Sequence, residues 1–148
     1  MSLERFVQAQ EKGGSYERAL AELKAGRKTG HWIWWIFPQL KGLGTSHNST
    51  YYGLADEAEA RAYMRHPVLG QRYHDCVHEV YMQLYAQKKT PLELMGSEID
   101  VIKLTSSLEL FLRHGLTAHD IRGRIMMVVK MEKILTEKLA WTYPEEKP

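Results

Sequence analysis

Apolar residues recur at helical spacing along most of this 148-residue chain. Leu3, Phe6 and Val7 open a short amphipathic segment that Gly13-Gly14 ends. Tyr16, Ala19, Leu20 and Leu23 mark a helix over residues 16–25, with Ser15 as its N-cap and Gly26 as its stop. Asp56 and Glu59, spaced as a capping-box analogue, start a helix that runs to Arg65. His66-Pro67 breaks the chain and begins the next helix, whose buried stripe is Tyr73, Cys76, Val77, Val80, Tyr81 and Leu84. Thr90-Pro91 opens a single turn that Gly96 ends. Ser97 and Asp100 cap a helix reaching about His114, with Gly115 as its stop. Thr117 and Asp120 open a last helix through Ile121, Ile125, Val128, Val129 and Leu135. Only Trp32 to Phe37 has strand-like content, and it is too short to separate strand from helix. The pattern predicts a mainly α fold: a single compact helical domain over residues 1–142, with six to eight helices and a Trp/Gly-rich loop segment. Residues 143–148 read as a frayed tail.

The helix EIDVIKLTSSLELFLRHG is apolar nearly all round between residues 99 and 112, which places it at the centre of the fold. Asp100, Lys103, Ser106 and Ser107 must then face other elements. Asp100 and Lys103 lie three residues apart, and Lys103 and Ser107 four apart, so these side chains share one ridge. One reading is a core ion pair with serines that let helices approach closely. The other is a functional cluster.

Composition adds bounds. With 44% hydrophobic and 26% charged residues, the chain can build its own core. A net charge of +2 is too small for a molecule that binds nucleic acid through overall basicity. Its distribution matters more. Residues 24–54 hold Lys24, Arg27, Lys28 and Lys41 and no carboxylate, so this segment carries +4 and the remainder −2. The same segment holds Trp32, Trp34 and Trp35, three of the four tryptophans. An indole is a large apolar body with one N–H to satisfy. Three of them beside cations and small hydroxyls suit a ligand with a ring and a phosphate. Cys76 stands alone, which excludes an intramolecular disulfide and fits a reducing compartment. The first ten residues do not read as a signal peptide, and no apolar run approaches the roughly 18 residues of a membrane span. The expected location is cytoplasmic, without membrane contact.

Several chemical signals are weak. His74 and His78 have metal-ligand spacing on a helix, but they are expected beside the buried stripe and facing water, Asp75 is short for a base, and no third ligand is in view. No metal and no cofactor are expected. Ser107 with Lys103 has the composition of a Ser-Lys nucleophile pair, yet no oxyanion-hole turn accompanies it, and a core hydroxyl is the plainer reading. Cys76 sits among apolar residues, where thiols are inert. Gly42-x-Gly44 lacks the rest of a dinucleotide fingerprint and the strand before it. The basic C-terminal helix also contains Glu132 and Glu137 and reads as a solvated face.

The runs LERFVQAQ and YERALAELKAGRKTGHWIWWIFPQLKGLG, then HPVLGQR, then D-x-x-K-L-x-S-S with a Leu-Phe pair, resemble a family of small bacterial and fungal proteins. That family is a domain of unknown function once mislabelled "calpastatin", and the resemblance covers about residues 3–113. K-x-x-H-W followed by F-P-Q-L-x-G-L-G is its most specific part. The family in turn resembles the YbiA-like, or NADAR, superfamily in fold, some members of which are associated with ADP-ribose or with N-glycosidic bonds of ribosyl compounds. The resemblance carries Lys28, His31, Trp32, Trp34, Phe37, Pro38, Gln39, Gly42, Gly44, Ser46 and Tyr52 over as functional positions, together with Asp100, Lys103, Ser106 and Ser107. The chain departs from its relatives at Leu108-Glu109-Leu110-Phe111, in the basic helix that follows, and at Trp35, where Phe is common.

The residues and the resemblance together imply a small-ligand pocket for a nucleotide or ADP-ribose-like compound, with hydrolysis of a ribosyl N-glycosidic bond as the reaction the resemblance implies. In that role Lys28 and Lys103 contact phosphate or the leaving group, Asp100 the sugar or attacking water, and Trp32 stacks on a ring. His31 acts as acid near neutral pH, and Gly42 and Gly44 let backbone N–H groups approach an anion. Lys28 also has a plainer alternative, as a cap on the preceding helix C-terminus. The competing class is a protein-binding or chaperone-like module whose Trp-rich basic surface grips an acidic partner. Stacking of single-stranded nucleic acid would require aromatics exposed in a row and a stronger basic groove. A concave site holding Lys28, His31, Asp100 and Lys103 distinguishes the first class from a flat tryptophan patch.

Overall fold

Caps and glycine stops divide the chain largely where the sequence places them. The structure is a computed structural model and describes residues 2–114 together with positions 123 and 126. Eight α-helical elements occur among the described residues: α1 (Glu4–Glu11), α2 (Ser15–Ala25), α3 (Ile33–Ile36), α4 (His47–Tyr51), α5 (Glu57–Arg65), α6 (Leu69–Tyr81), α7 (Pro91–Met95) and α8 (Glu98–His114). A 3-10 turn at Lys12–Gly14 joins α1 to α2, and a π-helical stretch at Met82–Ala86 extends α6. Among the described residues the β-pairing is an isolated bridge, Leu40 to Leu54. The chain is mainly α. The helix expected from Thr117 through Leu135, the stop at Gly115 and the tail 143–148 lie outside the described residues.

Local chemistry explains each boundary. Thr90 and Glu93 form a full capping box at α7: the Thr90 hydroxyl accepts from Glu93 N–H at 3.1 Å, and the Glu93 carboxylate accepts from Thr90 N–H at 2.8 Å. At α5 only half of the box forms. Asp56 accepts from Glu59 N–H at 2.8 Å, while the Glu59 carboxylate turns to Ala55 N–H and the Arg5 guanidinium. Ser15 is not the cap of α2. Gly13 and Gly14 both adopt positive φ, so the helix starts on Gly14, and the Ser15 hydroxyl instead accepts the Trp35 indole N–H at 2.8 Å. The Trp32 to Phe37 stretch resolves as helical, with Phe37 N–H donating to Ile33 O at 3.0 Å. No neighbouring strand offers it a ladder, so i→i−4 bonds satisfy the backbone. Helix α4 has no apolar periodicity to announce it; Ser46 caps it from Ser49 N–H at 3.1 Å.

Helix α8 lies against α3, α5 and α7, as its all-round apolar character demands. Val101, Leu104, Leu108, Leu110 and Phe111 are buried there. Phe111 packs on Tyr73 of α6 and Tyr63 of α5, with ring centroids 4.5 and 5.3 Å apart. Phe37 meets Tyr73 edge-on, and Phe6 of α1 meets Tyr63 the same way. Of the predicted α6 stripe, Tyr73, Cys76, Val77, Val80 and Leu84 are buried and Tyr81 is half-buried. Burial pushes the Cys76 thiol well above its usual pKa, consistent with an unreactive core residue. His74 and His78 are half-buried instead of facing water. Among the described residues no helix is long and apolar enough to cross a membrane.

Candidate functional site

The end of α2 delivers the first lysine. Gly26 takes φ +81° as C-cap, a conformation L side chains avoid, and a Cβ there would lie 2.7 Å from the Gln83 side-chain oxygen. The chain then reverses, and Lys28 N–H donates to Leu94 O at 2.7 Å, which pins the loop to α7. The Lys28 side chain does not cap α2, whose Lys24 carbonyl is taken by the Gln83 amide at 3.0 Å. Its Nζ reaches the Gly30 carbonyl at 2.6 Å and the Asp100 carboxylate, in the first turn of α8, at 2.7 Å. It also lies 5.0 Å from the Trp32 ring centre.

Asp100 therefore pairs with a lysine 72 positions away in sequence, a partner that helical spacing does not announce. Lys103, one turn on, is 5% exposed and sets its ammonium 3.9 Å above the Trp34 ring centre. Lys28, His31, Trp34, Asp100 and Lys103 thus line one cleft of about 240 Å³, completed by Ile33, Ser97 and Ile99. The expected convergence of Lys28, His31, Asp100 and Lys103 occurs. Counting lining groups with His31 neutral, the cleft carries two ammoniums and one carboxylate, a net +1.

The other candidates stand elsewhere, and burial is the reason in most cases. Trp32 is 3% exposed and packs in the core near Phe37, so it offers no face for ring stacking. Phe37 is itself a core residue. Gln39 is buried, and its carbonyl accepts Leu54 N–H at 2.9 Å beside the isolated bridge. Gly42, at φ +98°, is exposed, Gly44 is half-buried, and Ser46 is spent as the α4 cap. Tyr52 packs on Trp35 and Phe6. Ser106 is half-buried on α8, and Ser107 is fully buried with its hydroxyl 3.0 Å from the Tyr73 hydroxyl, a core role. None of these lines the lysine cleft. The indoles do not form a flat exposed patch, since Trp32 is buried and Trp34 and Trp35 are half-buried.

Glu22 is the residue sequence reasoning missed. One of its oxygens, Oε1, accepts from Thr29 N–H at 2.7 Å, Gly30 N–H at 2.9 Å and the Trp32 indole N–H at 2.9 Å. Burial opposes its ionisation, but these donors, led by Gly30 and Thr29, outweigh it and hold the carboxyl at a pKa of about 2. A signal existed: Glu22 stands in the last turn of α2, where the macrodipole disfavours a carboxylate, so it needs another partner. Gly30 is required beside it, because a Cβ would fall 2.9 Å from the Trp32 ring.

Comparison with solved structures finds the conserved hypothetical protein Rv1873 from Mycobacterium tuberculosis, 36% identical, with a TM-score of 0.75. The match covers 95% of this chain and 97% of that one. Comparison with curated proteins finds no match. Residues 1–129 match a family described as "Protein of unknown function (DUF1810)", and the chain belongs to that family.

Proposed function

We propose that the lysine cleft holds the phosphate of a small nucleotide or ADP-ribose-like ligand. The observation that carries this reading is the meeting of Lys28 and Lys103, both more than nine-tenths buried, around one carboxylate in a single concavity. Withdrawing two ammoniums from water is costly unless counter-charge is supplied. Asp100 lies at ion-pair distance from Lys28, and a phosphate's oxygens would add charge-assisted hydrogen bonds at both ammoniums. Trp34 holds Lys103 in place through the cation–π contact, which occupies that face of the indole. At about 240 Å³ the cleft falls below the roughly 300–1,000 Å³ usual for whole small-molecule sites, so it suits one end of a ligand.

The reaction class that fits such a ligand is hydrolysis of a ribosyl N-glycosidic bond. Asp100 would orient the attacking water, and His31, exposed at the rim, would deliver the proton to the departing base. The family's wider kinship with the NADAR superfamily belongs to this same proposal. The test is calorimetric titration with inorganic phosphate, adenosine monophosphate and ADP-ribose. Lys103→Met is expected to weaken each about tenfold or more. Chromatography of the incubated mixtures then reads any released base. No binding or thermal shift at millimolar ligand, with Lys103→Met behaving like the parent, sinks the reading.

A further inference from the structure

A second cleft of about 270 Å³ lies on the other side of the 29–31 loop, lined by Arg18, Glu22, Gly30 and Trp35 among others. His31, exposed, lines both clefts. Gly30 contributes a polar group to each side, and its two groups are anchored on opposite charges. Its N–H donates to Glu22 of the second cleft at 2.9 Å, and its carbonyl accepts from Lys28 of the first at 2.6 Å. The wall between the clefts is therefore held from both sides.

The two clefts differ in chemistry. The lysine cleft carries a net +1, whereas Arg18 and Glu22 cancel in the second. Three N–H donors converge on Glu22 Oε1 and fix the carboxylate's orientation, the Thr29 side chain also hydrogen-bonds the carboxylate, and Oε2 receives no N–H donor among the described residues. A carboxylate held this way accepts hydrogen bonds from hydroxyl groups and repels a second phosphate. The half-buried Trp35 indole beside it covers the apolar face of a ring.

We infer that the two clefts are subsites of one bipartite site for a sugar phosphate, in which the phosphate lies between Lys28 and Lys103, the ligand crosses at His31, and the sugar hydroxyls donate to Glu22. This rests on the phosphate reading of the lysine cleft and names the part of the ligand that this cleft does not hold.

The test titrates the full chain at low ionic strength with inorganic phosphate and with ribose 5-phosphate, comparing the parent, Lys103→Met and Glu22→Gln. Glutamine keeps one oxygen for the three N–H donors and replaces the other with a donor, so the loop is preserved while the acceptor is lost. Ribose 5-phosphate is expected to bind about tenfold tighter than phosphate, Glu22→Gln to abolish that advantage without touching phosphate affinity, and Lys103→Met to weaken both. Should Glu22→Gln not fold, titration of the parent with 2-deoxyribose 5-phosphate takes its place: the advantage over phosphate is expected to shrink because a hydroxyl that donates to Glu22 is missing, and an advantage equal to that of ribose 5-phosphate overturns the bipartite site. Equal affinity for the two compounds in the parent, or a glutamine variant that changes both affinities or neither, overturns the bipartite site and leaves the lysine reading standing. Failure of both compounds to bind, or indifference to Lys103→Met, overturns the two together.

Discussion

A lysine with 5% of its side chain exposed survives folding only with partners, and Lys28 has the Asp100 carboxylate, the Gly30 carbonyl and the Trp32 ring. Removing it strands Asp100, whose own side chain is 17% exposed. Lys28→Met is expected to destabilise the fold by about 2–3 kcal/mol, and Lys28→Met with Asp100→Asn by markedly less, because the second change removes the uncompensated charge. Urea denaturation of both singles and the double gives the coupling directly. Glu22 makes a pH-dependent contribution whose sign follows from its low pKa. The carboxyl titrates near 4.5 when free and near 2 when folded, so its contribution is complete above 4.5 and fades as pH falls from there toward 2. Glu22→Gln should therefore flatten the acid limb of a melting-temperature profile over that interval. An unchanged limb would mean the N–H donors around Glu22 are not holding the charged form.

At the scale of elements, the α2 stop sets where the loop begins and hence where Lys28 points. Gly26 combines φ +81° with a site where an added Cβ would fall 2.7 Å from Gln83 and 2.9 Å from Lys89. Gly26→Ala must bear the left-handed conformation and displace Gln83, which itself ties the Lys24 carbonyl to the π-helical stretch. A loss of at least about 1 kcal/mol is expected, read as a lower denaturation midpoint with unchanged slope. The short elements α3 and α4 play a different part. They satisfy backbone groups in a segment crowded with indoles and glycines, and Ser46 and the 40–54 bridge close it. Rigidity in this loop comes from such local bonds and from Glu22.

At the scale of the molecule, the rings of Phe6, Phe37, Tyr63, Tyr73 and Phe111 join α1, α5, α6 and α8 with the loop after α3 in one core. Phe111 is fully buried at its centre. Phe111→Ala is expected to cost about 3–5 kcal/mol, the transfer term plus a cavity among rings that cannot collapse. Chemical denaturation measures it. A loss below about 1 kcal/mol would show that this cluster is not where the helices are tied together. Arg5 adds a polar tie. Its guanidinium donates to the carbonyls of Ser2, Tyr51 and Gly53 and to Glu59, which fastens α1 to the end of the Trp/Gly-rich segment.

Helices α1, α2, α5, α6 and α8, the glycine stops after α1 and α2, and the turn opened by Thr90-Pro91 are legible in the chain because each depends on residues within about four positions: an apolar period, a cap, a stop. The central place of α8 is legible for the same reason, since a helix apolar on every side has nowhere else to go. What folding decided is which polar groups meet. Spacing on one helix places Asp100 near Lys103, and three-dimensional packing brought Lys28 to Asp100 across 72 positions, set Lys103 over Trp34, and turned Ser107 into the core against Tyr73. Trp32 and Trp34 are two residues apart with the same side chain, yet one is core and the other cleft wall, a distinction that arises only when α3 docks. Glu22 became an anchored carboxylate because a loop seven to ten residues downstream folded its N–H groups back onto it. Short-range periodicity specifies elements; long-range charge pairing and burial depend on how those elements pack.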